Sequence, residues 1–115
     1  MALKGKFTVN DADYSPLLMY GIGTFMAYSG NREYRNRAGC IAVPDNGPIP
    51  DGLYHIVKRP LGVSLGCITL QHRTDFIAIR QALLYTPQVN LPNGLISYGT
   101  IEVVLNGSKT CPGGV

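Results

Sequence analysis

The chain has 115 residues, a length that predicts a single domain over residues 1–115. Its hydrophobic fraction of 45% argues against disorder, and its formal net charge of +3 is too small to indicate a nucleic-acid partner. Every apolar run is shorter than a bilayer span, so we expect no insertion into a membrane. The N-terminal MALKGKFTVN lacks an apolar signal core, which predicts a protein made in the cytoplasm and not exported by the Sec route.

The first half of the chain predicts short strands separated by turns. KGKFTVN is typical of a first strand, and LLMYGIGTFMAYSG predicts one or two strands broken at Gly21 and Gly23. CIAV predicts a short buried strand. The proline-rich PDNGPIPDG that follows it predicts a rigid turn.

The second half predicts further strands and one helix. LYHIVKR predicts a strand that places His55 and Ile56 on opposite faces, and CITL predicts another after the loop PLGVSLG. RTDFIAIRQALLYT has apolar residues at helical spacing, with Thr74 or Asp75 as the expected N-cap.

The end of the chain predicts a closing strand and a loose tail. LISYGTIEVVL is typical of a strand or a hairpin, and NGSKTCPGGV is expected to fray. The whole pattern, about seven short strands and one helix, predicts a mainly β domain with one packed α-helix.

The three cysteines do not make a complete set of disulfides. Because Cys40, Cys67 and Cys111 are odd in number, at least one thiol should be free. We expect Cys40 to be structural and Cys111, in the tail, to be free. No cysteine or histidine spacing resembles a metal site, and no glycine-rich loop precedes a helix, so the sequence predicts neither a metal nor a cofactor.

The stretch GVSLGCITLQH surrounds Cys67 and allows two interpretations. As a nucleophile, Cys67 would lie at a loop-to-strand junction, where Gly66 admits a substrate and the N–H groups from Ser64 to Cys67 line an oxyanion site. As a structural residue, it would be a small hydrophobe in the core.

SLGCITL resembles the cysteine motif of L,D-transpeptidases. Further similarity to the type VI secretion L,D-transpeptidase effectors lies in YRNRAGC, GPIPDGLYHIV, DFIAIRQALL and YGTIEV, which occur in that family's order. The resemblance implies a sandwich-like or barrel-like domain that acts on peptidoglycan stem peptides in the periplasm of a rival bacterium. It also implies delivery by the secretion apparatus and an immunity protein as a partner.

The implied chemistry removes the terminal D-alanine of a tetrapeptide stem, or exchanges it for another D-amino acid, through a thioester on Cys67. Family members usually carry the catalytic histidine on a longer segment upstream of the cysteine, whereas KRPLGVSLGC here joins the two strands directly. The base would then be His55, because His72 is expected in the loop before the helix, among the substrate-binding residues. The alternative is a shortened, inactive homologue that serves as a wall-binding or structural module.

The segment NREYRNR carries three arginines with two possible roles. Arg32, Arg35 and Arg37 are either part of a solvated loop or a clamp for the carboxylates of the stem peptide. The arginine fork matches the geometry of a carboxylate, so these residues are the sequence's candidates for binding the substrate.

Overall fold

One curled sheet forms most of the molecule. The computed structural model describes residues 3–31, 34–43, 46–59, 62–64 and 68–111. Within them, eight strands form a sheet in the order β5-β4-β8-β1-β2-β3-β6, and β7 pairs with β8. The sheet curls into a half-barrel with one α-helix, so the expectation of a mainly β, barrel-like domain is confirmed.

The strands are short, as the sequence predicts. Their bounds are β1 Leu3–Val9, β2 Ser15–Met19, β3 Gly23–Ser29, β4 Gly52–Arg59, β5 Gly62–Ser64, β6 Ile68–Leu70, β7 Val89–Asn90 and β8 Ile96–Leu105. The helix α1 spans Arg73–Leu84, and a 3-10 turn spans Ala38–Cys40. β1 and β8 pair in parallel, and the other neighbouring strands are antiparallel.

Alternation along the strands builds the core. On β1, Phe7 and Val9 are fully buried while Lys4 is exposed, because successive side chains point to opposite faces. The buried side chains come mainly from β1, β2, β4 and β8: Phe7, Val9, Leu17, Met19, Ile56, Ile101 and Val103. Burial of each large side chain contributes about 1.5–3 kcal/mol, so this inner face holds the sheet together.

The two ends of the sheet are joined by a short link. β5 and β6 lie at opposite ends of the strand order, yet only residues 65–67 separate Ser64 from Ile68. Four Cα–Cα steps span at most about 15 Å. The chain therefore holds the two edges of the sheet near each other, which is consistent with the curl.

The helix covers the core, but its start differs from the expectation. Ile79 and Leu83 are buried, as helical spacing predicts. The N-cap is His72, so the prediction of Thr74 or Asp75 as the cap is wrong by two or three residues. The Asp75 N–H donates to the His72 carbonyl, which shows that the first turn already contains Asp75.

Two local predictions are wrong for a shared reason. CIAV was expected as a strand, but Cys40 ends the 3-10 turn and the described residues 41–43 form a turn and a bend. The tail is predicted to fray, but in its described part, residues 106–111, the Asn106 N–H donates to the Val9 carbonyl and Cys111 is bonded to Cys40. Contacts with distant parts of the chain override the local pattern in both segments.

The disulfide corrects the prediction that Cys111 is free. Cys40 and Cys111 are 71 residues apart in sequence, and their Cα atoms are 4.8 Å apart. Cys40 is fully buried, in agreement with the structural role that the sequence suggested. Because these two cysteines pair with each other, Cys67 is the one remaining cysteine of the chain.

Candidate active site

His55 lies on the outer face of the sheet, on the strand that leads toward the cysteine motif. It is exposed on β4, whereas the next residue, Ile56, is buried in the core. The alternation that the sequence predicts for this strand is thus confirmed. An exposed imidazole on a paired strand is held in position by its backbone and remains accessible to a substrate.

A β-bulge places a serine beside this histidine. Ile56 pairs with Gly99, but Val57 pairs with Ser97, so Tyr98 is an extra residue on β8. Val57 and His55 share a face of β4 because they are two residues apart. The extra residue therefore brings Ser97 onto the face of His55, where a regular ladder would put Tyr98.

The contact between the two side chains is a hydrogen bond. His55 Nδ1 lies 2.9 Å from Ser97 Oγ, and Ser97 Oγ donates to the Gly99 carbonyl at 3.0 Å. A hydroxyl has one proton, and here it is donated to Gly99. Both bonds therefore form together only when His55 Nδ1 is protonated and donates a hydrogen bond to the Ser97 oxygen. Nε2 is then the acceptor nitrogen of the neutral ring. The local sequence pattern does not indicate Ser97, because a bulge leaves no signal in it.

Gly99 is required by the strand next to it. A Cβ atom at this position would clash with the carbonyl oxygen of Leu3, on the parallel neighbour β1. The close approach of β1 and β8 explains the glycine in YGTIEV. It also fixes the carbonyl that accepts the proton of the Ser97 hydroxyl.

The cysteine motif lies only partly within the described residues. Ser64 ends β5 and pairs with Val57, two residues beyond His55 along β4. Gly66 and Cys67 lie outside the described residues. β6 begins at Ile68, directly after Cys67, and Ile68 is a buried residue that pairs with Ser29 of β3. The strands on both sides of the motif are therefore fixed in the sheet.

A shallow groove adjoins His55 on the outer face. Thr100, the cross-strand partner of His55, lines it together with Leu53 of β4. Its volume is about 250 Å³, and its other lining residues are Lys4, Gly5, Tyr20 and Glu102. Leu53 is 68% exposed, so the groove offers an apolar wall between charged side chains.

His72, the other candidate histidine, is exposed and precedes α1. It belongs to the connection between β6 and the helix, where the sequence places it. Gln71 ties this connection to β3, because its N–H donates to the Met26 carbonyl. His72 thus follows the same strand that begins after Cys67.

Arg35 lies against two aromatic rings. Its guanidinium carbon is 3.7 Å from the centroid of the Tyr28 ring and 4.6 Å from that of Tyr14, and Nε donates to the Asp13 carbonyl. The two rings meet edge to face at 6.1 Å. The two cation–π contacts and the hydrogen bond restrain the position of the guanidinium group.

The other two arginines differ from Arg35. The positive charge of Arg37 acts on the carboxylate of Asp11. Arg32 lies outside the described residues. Of the three predicted clamp residues, the structure thus describes Arg35 and Arg37, which lie on either side of Asn36.

Asn36 is the structural centre of the arginine segment. It is fully buried with a φ of 56°, and its Nδ2 donates to the carbonyls of Ala12 and Asp13. Its Oδ1 accepts from the Ser29 N–H, and its own carbonyl accepts from the Asp11 N–H. These bonds join the end of β3 to the β1–β2 loop. The choice of asparagine is the one sequence feature consistent with this position, because asparagine tolerates the left-handed conformation well.

Asp11 connects the same loop to the tail. One carboxylate oxygen accepts from the Ser108 N–H and the other from the Ala38 N–H. The hydrogen bond from Ser108 is the main cause that lowers the pKa of Asp11, and the Ala38 N–H and the charge of Arg37 lower it further. Partial burial raises this pKa, but the three lowering effects together are larger. The carboxylate therefore stays ionised and fastens three segments of the chain.

Two further features bear on the class of site. Among residues 3–31, 34–43, 46–59, 62–64 and 68–111, no group of three or more His, Cys, Asp or Glu side chains could hold a metal ion. In that part of the chain, none of the helices has the length and apolar character required to cross a bilayer.

Comparisons with known proteins point to one family. No curated protein and no solved structure matches the chain. The family model of the Tlde1 domain, a type VI secretion effector family, matches residues 23–62. The matched range runs from β3 to the start of β5, so it includes His55 and the arginine segment and ends before Ser64. The match supports the relation to type VI secretion effectors that the sequence motifs suggested.

Proposed function

We propose that this protein is a cysteine enzyme that acts on the tetrapeptide stems of peptidoglycan. Cys67 is the nucleophile, and His55 is the general base that accepts its proton at Nε2. The observation that carries the proposal is the hydrogen bond of 2.9 Å from His55 Nδ1 to Ser97. His55 lies on β4, the strand that pairs with β5 just before the cysteine motif. A histidine oriented by a third residue is a recurrent feature of thiol catalysis.

The reaction proceeds in two steps. The Cys67 thiolate attacks the carbonyl carbon of the L-centre of diaminopimelate, the bond to D-alanine breaks, and a thioester forms. The leaving amine takes the proton from His55. His55 then takes a proton from water, which attacks the thioester, or from the attacking amine of a different D-amino acid. The carbon–sulfur bond breaks, the Cys67 thiolate leaves, and the product is a tripeptide stem or an exchanged tetrapeptide. N–H groups from Ser64 to Cys67, including that of Gly66, stabilise the oxyanion in both steps.

The arginine segment and His72 supply the substrate contacts. The Arg35 guanidinium lies over the Tyr28 ring, and Tyr28 pairs with Thr69, two residues after Cys67. A guanidinium in fixed orientation loses little entropy when it forms two parallel bonds to a carboxylate. Arg32, Arg37 and His72 complete the set that we assign to the anionic stem.

The family match supports a role in competition between bacteria. We infer that the secretion apparatus delivers the protein to the periplasm of a rival cell, where loss of tetrapeptide donors weakens the wall. The producing cell then needs an immunity protein as protection. The second candidate function is an inactive wall-binding module, which the short KRPLGVSLGC connection favours because it leaves no room for the family's usual histidine segment.

Mass spectrometry of muropeptides distinguishes the two functions. Purified protein incubated with tetrapeptide stems should yield tripeptides, and added D-methionine should yield exchanged tetrapeptides. Cys67→Ala and His55→Ala should abolish both products, while Lys109→Ala, an exposed change in the tail, serves as the matched control. Unchanged stems with the wild-type protein, together with retained binding to peptidoglycan, would establish the wall-binding function instead.

A further inference from the structure

We infer that Ser97 is a positioning residue that holds His55 in the Nδ1–H tautomer and so presents Nε2 as the basic nitrogen. The inference rests on the proposed function for its catalytic meaning. Its structural content, the tautomer and its cause, can be tested separately. Ser97 is outside the motifs that suggested the nucleophile and the base.

Burial makes the serine a selective partner. Ser97 is only 2% exposed, so water does not compete freely for its hydroxyl. The hydroxyl proton is donated to the Gly99 carbonyl at 3.0 Å, and the hydroxyl oxygen accepts from the Gly99 N–H at 3.3 Å. The lone pairs that remain can only accept, which requires a donor at His55 Nδ1.

The bulge makes this arrangement specific. In a regular ladder without a bulge, Val57 would pair with Tyr98, and Ser97 would then point to the other face of the sheet. The bulged strand is therefore the device that brings a hydroxyl to the imidazole. Bulges often re-aim a side chain next to a functional site.

The hydrogen bond from His55 Nδ1 to Ser97 determines which ring nitrogen can act as the base. A neutral histidine fixed as Nδ1–H accepts a thiol proton only at Nε2, the nitrogen that points away from Ser97. The imidazolium that forms keeps its Nδ1–H bond to the serine oxygen. Ser97 thus stabilises the ring in both protonation states without touching the substrate.

Nitrogen NMR of the histidine rings tests the tautomer directly. The wild-type spectrum should show His55 as the Nδ1–H form at a pH where the ring is neutral, and Ser97→Ala should convert it toward the Nε2–H form. His72 is exposed, and the hydrogen bonds of the Ser97 hydroxyl go to His55 and Gly99, so the signals of His72 should not change and serve as an internal control. Ser97→Thr retains a hydroxyl and should restore the Nδ1–H form.

Kinetics then tests the catalytic meaning. Ser97→Ala should lower kcat by roughly tenfold to a hundredfold, the range found when the hydrogen-bond partner of a metal-bound histidine is removed, with a small change in KM. Ser97→Thr should recover most of the rate. A wild-type His55 in the Nε2–H form, or a tautomer that Ser97→Ala leaves unchanged, overturns the inference whether or not the protein is active. The wild-type measurement needs no variant, so it stays decisive even if Ser97→Ala folds poorly.

The two proposals fail in different ways. If the tautomer shifts as expected but the wild-type protein alters no muropeptide, the role of Ser97 stands and the proposed enzymatic function fails. If the protein is active and His55→Ala retains full activity, the base is another group and Ser97 has no part in catalysis.

Discussion

Arg35 packs its guanidinium 3.7 Å from the centre of the Tyr28 ring, on the residue of β3 that pairs with Thr69 of β6. Thr69 is two residues from Cys67 in sequence. Arg35, one of the three arginines in the charged segment, thus lies beside β6, the strand that begins directly after the proposed nucleophile. Its contacts with two aromatic rings distinguish it from an arginine that is surrounded by solvent.

Arg35→Lys should weaken the binding of stem peptides that end in a free carboxylate. Lysine keeps the charge but lacks the planar fork, so it loses both the stacking and the paired hydrogen bonds. The change should also destabilise the fold by about 1 kcal/mol, since a cation–π contact at a partly exposed site contributes about that much. Calorimetry with free-acid and amidated tetrapeptides measures the first effect, and Arg80→Lys on α1 is the control. Equal affinity of the wild-type protein for both peptides would remove Arg35 from the binding site.

The disulfide should be a large part of the stability of the fold. Cys40 and Cys111 enclose a loop of about 70 residues, for which loss of the crosslink costs about 4 kcal/mol in the chain-entropy account. Cys111→Ala should therefore lower the urea midpoint strongly, and a reducing agent should lower the wild-type midpoint to nearly the same value. A reducing agent should leave the variant unchanged. A wild-type protein that is indifferent to reduction would contradict this role.

Asp11 should make the stability of the fold depend on pH in the acid range. Its pKa lies below the ordinary value of 3.8, chiefly because of the Ser108 N–H, so the ionised form is favoured by the native state. The stabilisation is fully present above about pH 4 and is lost as the pH falls through the lowered pKa. Asp11→Asn keeps the left-handed backbone at φ 65° and removes the charge, so it should flatten the acid limb of urea midpoints measured against pH. An acid limb that is as steep in the variant as in the wild type would show that other carboxylates cause it.

Asn36→Ala should be among the most destabilising single changes in the chain. It leaves the Ser29 N–H and the carbonyls of Ala12 and Asp13 without their partner and forces alanine into a left-handed conformation. We expect a loss of about 3 kcal/mol, which is the usual cost of unsatisfied buried groups plus backbone strain. Asn36→Gly relieves the backbone strain but still lacks the side-chain hydrogen bonds. Its stability, measured by thermal or urea unfolding, should therefore lie between that of Asn36→Ala and that of the wild type. A glycine variant as stable as the wild type would mean that the side-chain bonds contribute little.

Sequence patterns predicted the features that depend on neighbours along the chain. The alternation on β4 correctly placed Ile56 and His55 on opposite faces, because a strand has a period of two whatever it packs against. Helical spacing likewise identified the buried Ile79 of α1. The mainly β class followed from these local signals.

The tertiary structure alone decided which distant groups meet. The Asp11–Ser108 bond joins residues that are 97 apart in sequence, and the serine beside His55 is there only because one residue of β8 is extra. Register, bulges and crosslinks are properties of pairs of segments, so no single segment encodes them. For that reason the sequence by itself identified Cys67, His55 and Arg35 as candidate functional residues. Only the folded chain could show Ser97, Asn36 and the disulfide, which hold the described part of the site in place.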